Sequence, residues 1–156
     1  VRIDRDTYFL EMAKLVAKRG TCARRQVGCV LVSGRHHVLA TGYNGGAAGM
    51  SHCIEEPCPG AEKPSGSFLN ECEAIHAEQN ALLQCRDVYE IKTCYCTTAP
   101  CITCTKLLLN TSCTRIIFLE DYPSSGQELW KKAGRYWRNE YDREYLETTF
   151  GAAELI

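Results

Sequence analysis

From His76 onward the chain takes turns between short β-prone runs and amphipathic helical stretches, and this alternation narrows the possible folds more than any other feature. The spacing predicts a helix over 76–85, with Ala77, Ala81, Leu82 and Cys85 on one face, then a strand over Thr93 to Thr98. A helix over Ile102 to Asn110 and a strand over Arg115 to Leu119 follow. Ser124 or Ser125 can start another helix that ends at Gly134, before the aromatic pair Tyr136-Trp137 and an amphipathic segment over about 141–150. Strand-helix-strand runs imply right-handed crossovers and parallel strands sandwiched between helices. Upstream, Asp6 can cap a helix over about 7–19, where Phe9, Met12 and Val16 recur at spacings of three and four and Lys18, Arg19 and Gly20 form the stop. Val27 to Val32 and Val38 to Tyr43 flank Ser33-Gly34-Arg35-His36-His37, the pattern of an antiparallel hairpin. The expected architecture is a three-layer α/β/α sandwich, and 156 residues suit a single domain.

Charge and hydropathy remove several partners. With 18 Lys and Arg against 19 Asp and Glu the formal net charge is -1, too balanced for a protein built to grip long nucleic acid. No run of about 18 apolar residues exists, and charges interrupt the apolar positions near the N-terminus, so neither a membrane span nor a secretory signal is expected. A soluble, cytoplasmic protein is the expectation.

The segment over about 45–73 carries Gly45, Gly46, Gly49, Pro57, Pro59, Gly60, Pro64 and Gly66 and fits neither helix nor strand. A structureless loop of that length inside a compact domain needs a function or a staple. It contains Cys53, Cys58 and Cys72 among eleven cysteines in the chain. An odd cysteine count without a secretory signal fits metal binding better than a complete disulfide framework. Cys22, Cys53, Cys58 and Cys72 would give four thiolates, the donor set of a closed structural zinc site, with His52 able to replace one of them. Cys29, Cys85, Cys94, Cys96 and Cys113 fall mainly on expected strands and helices and read as core packing.

The chemistry concentrates at two expected helix starts. Cys101 and Cys104 share a face of a first turn, whose amide groups stabilise anionic sulfur, and Pro100 suits the boundary because it needs no donated hydrogen bond. His76 at the other helix start makes three ligands for a tetrahedral zinc, with the fourth position left to water as in catalytic sites. Glu78, two residues on, is placed to move protons without ligating. Zinc brings water towards a pKa of about 7, so hydrolysis is the implied reaction type. The plainer alternative is a packing histidine and a redox CxxC pair.

The order His76-x-Glu78 then Pro100-Cys101-x-x-Cys104 matches the signature H-x-E…P-C-x-x-C, and on it the chain resembles the zinc-dependent deaminases. Within them it resembles the cytidine and deoxycytidylate deaminases, most closely those acting on dCMP. That closer likeness rests on Thr21 to Gly28, the Gly42-Tyr43-Asn44-Gly45 element, His76 to Leu83 and Thr98 to Cys101. Relatives acting on free cytidine typically have Cys where His76 stands, and tRNA adenosine deaminases typically lack the Gly-Tyr-Asn-Gly element and the cysteine-rich loop. The resemblance implies a cytidine-deaminase-like α/β/α fold around a mixed five-stranded sheet, and hydrolysis of dCMP to dUMP and ammonia. It implies that Asn44 hydrogen-bonds the deoxyribose or the base edge, that backbone atoms of Ala77 and of Thr98 or Ala99 read the cytosine, and that Tyr122 packs on the nucleotide. Arg24 and Arg25 are the candidates for the 5′-phosphate by charge and position. In regulated members the region of Tyr43, Gly45 and Gly46 helps bind dCTP with Mg²⁺ as activator and dTTP as inhibitor, and the subunits form homohexamers. Here Ala47 stands where such proteins usually have proline. A related deaminase of another cytosine or adenine nucleotide and a noncatalytic zinc-stapled binding module remain the competing readings, and Glu78 speaks against the module.

Overall fold

The computed structural model describes residues 2–64 and 73–142. Cys72 and nearly all of the expected C-terminal amphipathic segment therefore lie outside the described residues. The chain runs as α1 (Arg5–Ala17), β1 (Gly28–Ser33), β2 (Val38–Tyr43), α2 (Ala77–Gln84), a 3₁₀ turn (Val88–Glu90), β3 (Ile91–Thr98), α3 (Ile102–Leu109), β4 (Arg115–Glu120), α4 (Gln127–Lys132) and β5 (Tyr136–Asn139). The five strands form one mixed sheet in the order β2-β1-β3-β4-β5. β1 pairs antiparallel with β2 and β3, whereas β3-β4 and β4-β5 are parallel, each connected through a helix. The hairpin and the alternation thus occupy opposite halves of the sheet, and the aromatic pair Tyr136-Trp137 belongs to the fifth strand.

Alternate side chains divide the core in two. Val30, Val32, Tyr95 and Ile117 meet Phe9, Leu10 and Ala13 of α1 on one face. Cys29, Leu31, Cys94, Cys96, Ile116 and Phe118 meet Ala77 and Ala81 of α2, Leu108 of α3 and Trp130 of α4 on the other. Burial on both faces explains why β1 reads as a nearly continuous apolar run.

α1 is capped by Asp4, whose carboxylate accepts from the Thr7 amide at 2.8 Å, and not by Asp6. Asp6 lies in the first turn and faces the sheet, where it accepts from the Tyr95 hydroxyl (2.6 Å) and pairs with Arg138 (2.6 Å) and Arg115 (3.2 Å). A local capping signal gives way here to three partners distant in sequence. On the opposite face, Gly42 lets α2 lie against β2: a Cβ there would sit 2.3 Å from the Ala77 carbonyl oxygen and 2.4 Å from the Ala81 amide nitrogen. The absence of a side chain at Gly42 therefore sets the height of the helix that carries Glu78.

Candidate active site

Two helix starts converge at the ends of β2 and β3. His76 is the N-cap of α2, held there by its amide, which donates to Gln79 Oε1 at 2.8 Å. One residue earlier, Ile75 forms a two-way antiparallel bridge with Gly45 (2.7 and 3.1 Å), and Asn80 Nδ2 donates to the Tyr43 carbonyl at 2.8 Å. The Gly-Tyr-Asn-Gly segment thus fixes the entry of α2. Cys101 is the N-cap of α3, and its sulfur accepts from the Cys104 amide at 3.5 Å.

The result is a compact donor set, with His76 Nδ1 3.4 Å from Cys101 Sγ and 3.3 Å from Cys104 Sγ. The three ligand atoms all lie within 4.8 Å of one another, and their chemistry, one imidazole and two thiols on first-turn backbone, fits zinc. The hydrogen bond from Cys104, with further help from His76, holds the Cys101 thiol down at about 4, while the same bond to Cys101, together with burial, pushes Cys104 up. The His76 imidazole is raised, chiefly by its hydrogen bond to Cys101.

Glu78 is buried with 4% of its surface exposed, and that burial, reinforced by the nearby Cys94 sulfur, lifts its carboxyl to about 7. A carboxylate in this range can both accept and return a proton near neutrality.

One pocket joins these groups to the expected substrate contacts. Its lining brings together His76, Glu78 and Cys101 with Asn44, Ala77, Thr98, Ala99, Tyr122, Arg24 and Arg25. Cys22, Val27 and Ala74 also line it, and of these Val27 and Ala74 were not singled out by the sequence, because nothing in their own neighbourhoods announces a pocket wall.

Asn44 uses its amide on the protein. Oδ1 accepts from the Val27 amide at 2.8 Å and Nδ2 donates to the Arg25 carbonyl at 2.6 Å, so Asn44 clamps the stretch that presents Arg25. The Ala99 amide is committed to the Glu120 carbonyl at 2.8 Å. The two arginines separate. Arg24 Nη1 donates to the Pro64 carbonyl at 3.0 Å and thereby ties the long loop to the pocket edge. The Arg25 guanidinium lies 6.0 Å from the centre of the Tyr122 ring, 3.9 Å from Glu120, and has a buried Nη1 without a hydrogen-bond acceptor.

The loop cysteines are less closely assembled. Cys53 and Cys58 are 3.6 Å apart at sulfur, and the Ile54 amide donates to the Thr21 carbonyl beside Cys22 at 3.1 Å. Among the described residues Cys22, Cys53 and Cys58 do not form a cluster with all donors within 4.8 Å. Gly46 lines a small cleft with Cys53 and Cys58, and Tyr43 is exposed at the end of β2.

The sequence model described as "Cytidine and deoxycytidylate deaminase zinc-binding region" matches residues 3–120. The chain belongs to the cytidine and deoxycytidylate deaminase family. It is 42% identical over 121 residues to a deoxycytidylate deaminase of Schizosaccharomyces pombe, covering 75% of this chain and 37% of that protein. It is 41% identical over 124 residues to the deoxycytidylate deaminase of Mycobacterium phage D29, covering 75% of this chain and 95% of the phage protein. The chain thus spans little more than a third of the fungal relative and nearly all of the phage one. In fold it is similar to the dCMP deaminase from cyanophage S-TIM5 in complex with dCMP and dUMP, with a TM-score of 0.68 at 20% identity, covering 89% of this chain and 98% of that one. Among the described residues no helix is long and apolar enough to cross a membrane.

Proposed function

We propose that this chain deaminates dCMP to dUMP and ammonia. The observation that carries the reading is a buried carboxylate, Glu78, beside the donor set His76, Cys101 and Cys104 in a pocket that also presents a guanidinium. Zinc held by His76, Cys101 and Cys104 would supply the Lewis acidity that makes water a nucleophile at neutral pH. Glu78 takes a proton from the attacking water and delivers it to N3 of the cytosine ring as C4 is attacked, then collects the second proton from the new C4 hydroxyl and passes it to the amino group, which leaves as ammonia as the C4 carbonyl forms. Burial serves this role, since a carboxyl near 7 holds the proton between the two transfers. Backbone around Ala77 and Thr98 reads the base, and Tyr122 packs on the nucleotide. Arg25, with its unsatisfied Nη1, is the better of the two arginines for the 5′-phosphate, because Arg24 is already occupied by loop carbonyls.

Relatives named for dCMP deamination support the choice of substrate. Steady-state assays of dCMP, deoxycytidine, cytidine and dCTP test it: dCMP should show the highest kcat/KM, and equal rates on dCMP and deoxycytidine would defeat the monophosphate assignment.

Finer parts of the same reading are a cytoplasmic homohexamer and activation by dCTP with Mg²⁺, opposed by dTTP, around Tyr43, Gly45 and Gly46. A second zinc on Cys22, Cys53, Cys58 and Cys72 would staple the long loop. The Cys53–Cys58 sulfur contact supports that site. Zinc analysis of the loaded protein should give two equivalents per chain, and one equivalent would remove the staple.

A further inference from the structure

A second group of three thiols lies in the core, away from any helix start. Cys29 on β1 sits directly across from Cys96 on β3, and Cys94 is two residues along on the same face. All three are fully buried. Cys94 Sγ is 3.6 Å from Cys29 Sγ and 3.4 Å from Cys96 Sγ, and the three sulfurs lie within 4.8 Å of one another. Two sulfurs bound to one zinc at about 2.3 Å each would stand roughly 3.8 Å apart. The spacings of Cys94 to Cys29 and Cys96 are slightly tighter, which a pyramidal centre with narrower angles accommodates.

Charge decides which centre fits. The sulfurs pack with Leu31, Ala81, Ile116 and Phe118, and the charged group that bears on Cys29 and Cys94 is Glu78, an acid that would add to the negative charge and not offset it. Three thiolates on a monovalent or divalent ion would leave net negative charge in that apolar setting, which is costly to bury. A trivalent centre with three thiolates is neutral. We propose that Cys29, Cys94 and Cys96 form a binding site for a trivalent thiophilic metalloid, taken up as arsenous acid or its antimony counterpart, separate from the zinc donors His76, Cys101 and Cys104.

The reaction needs no oxidant. Three As–O bonds of arsenous acid break and three As–S bonds form; each thiol proton leaves with a hydroxyl group as water, and arsenic stays trivalent. The reactant and the product are both uncharged, so a buried site on the two interior strands can be entered during local opening of α2 from the sheet face without carrying charge inward. Strand pairing holds the three sulfurs in place beforehand, which lowers the ordering cost of a three-point chelate.

The test uses the full-length, zinc-loaded protein titrated with sodium arsenite. One tight equivalent is expected without loss of zinc, with X-ray absorption showing three sulfur neighbours and no oxygen at arsenic. Cys94→Val and Cys29→Ala should each lose that equivalent, while Cys58→Ser should keep it. Should neither core variant fold, the wild-type spectrum and zinc content decide. No uptake, retained oxygen ligands, release of zinc on binding, uptake that persists in a folded core variant, or loss of uptake in Cys58→Ser would each overturn the proposal.

Discussion

Two largely buried carboxylates lie on opposite faces of one sheet and are driven in opposite directions. Asp6, on the α1 face, is pulled below the ordinary aspartate value: burial alone would raise it, but the Tyr95 hydrogen bond and the charges of Arg115 and Arg138 outweigh that. Glu78, on the α2 face, has no arginine against it and is lifted to about 7 chiefly by burial. The fold uses Asp6 to lock the first helix to β3, β4 and β5. At Glu78 the charge of His76 and the Cys104 hydrogen bond offset only part of the same cost of burying charge, and a group that titrates near neutrality results.

Several substitutions test this contrast, and the largest effect belongs to Glu78. Glu78→Ala should reduce turnover of dCMP by roughly 10²- to 10⁴-fold, the usual contribution of a general acid-base group, while zinc content is unchanged. A folded, zinc-loaded variant with near-normal turnover would erase the functional half of the comparison. Asp6→Asn should leave zinc binding intact but cost about 3 kcal/mol in denaturant unfolding, the lower end for breaking a buried pair. The pH dependence carries a definite sign. Because the folded Asp6 carboxyl ionises below the unfolded value of about 3.9, its contribution is complete above that value and disappears as pH falls through the folded one. Wild type should therefore lose its advantage over Asp6→Asn in acid, and a constant difference down to the acid transition would contradict the network.

Arg25→Ala should lower kcat/KM on dCMP roughly ten- to a hundredfold, the worth of a charge-assisted hydrogen bond, and spare deoxycytidine. Arg24→Ala should show no such discrimination. Equal losses on both substrates in Arg25→Ala would move phosphate recognition elsewhere. Gly42→Ala probes how the α2 face is held: the added methyl meets the Ala77 carbonyl, so α2 must shift, at a cost of about 1 to 3 kcal/mol and with part of the turnover. Thermal unfolding together with zinc content separates a shifted helix from a lost metal site.

The contrast also marks what a sequence can carry. His76, Glu78, Cys101 and Cys104 were legible because each pair lies within one helical turn, where spacing alone fixes the geometry. The alternation of strand and helix similarly pointed to the layers, and the structure follows it to within a few residues from α1 to α4, whereas β5 occupies what reads in the sequence only as an aromatic pair. Asp6 misled because a carboxylate near a helix start can cap locally or reach inward, and only the approach of Arg115 and Arg138 from far along the chain decides. Asn44 lines the pocket, and its amide also bonds to Val27 and Arg25, a contact set by the fold of the hairpin's entry that spacing does not announce. The division of labour between Arg24 and Arg25 has the same origin, since it depends on where the carbonyl of Pro64 comes to rest.

The bridge between Gly45 and Ile75 has a bearing on how such a chain can change over generations. It ties off the long excursion at its base, one residue before His76, so the histidine takes its position from the neck and not from whatever lies beyond it. Doubling the length of a flexible loop costs only about 0.6 kcal/mol in closure entropy. Insertions, deletions or an exchanged segment beyond the neck are therefore cheap, and the excursion can acquire or shed a staple, a regulatory contact or a binding surface while the donor set beneath it stays where it is.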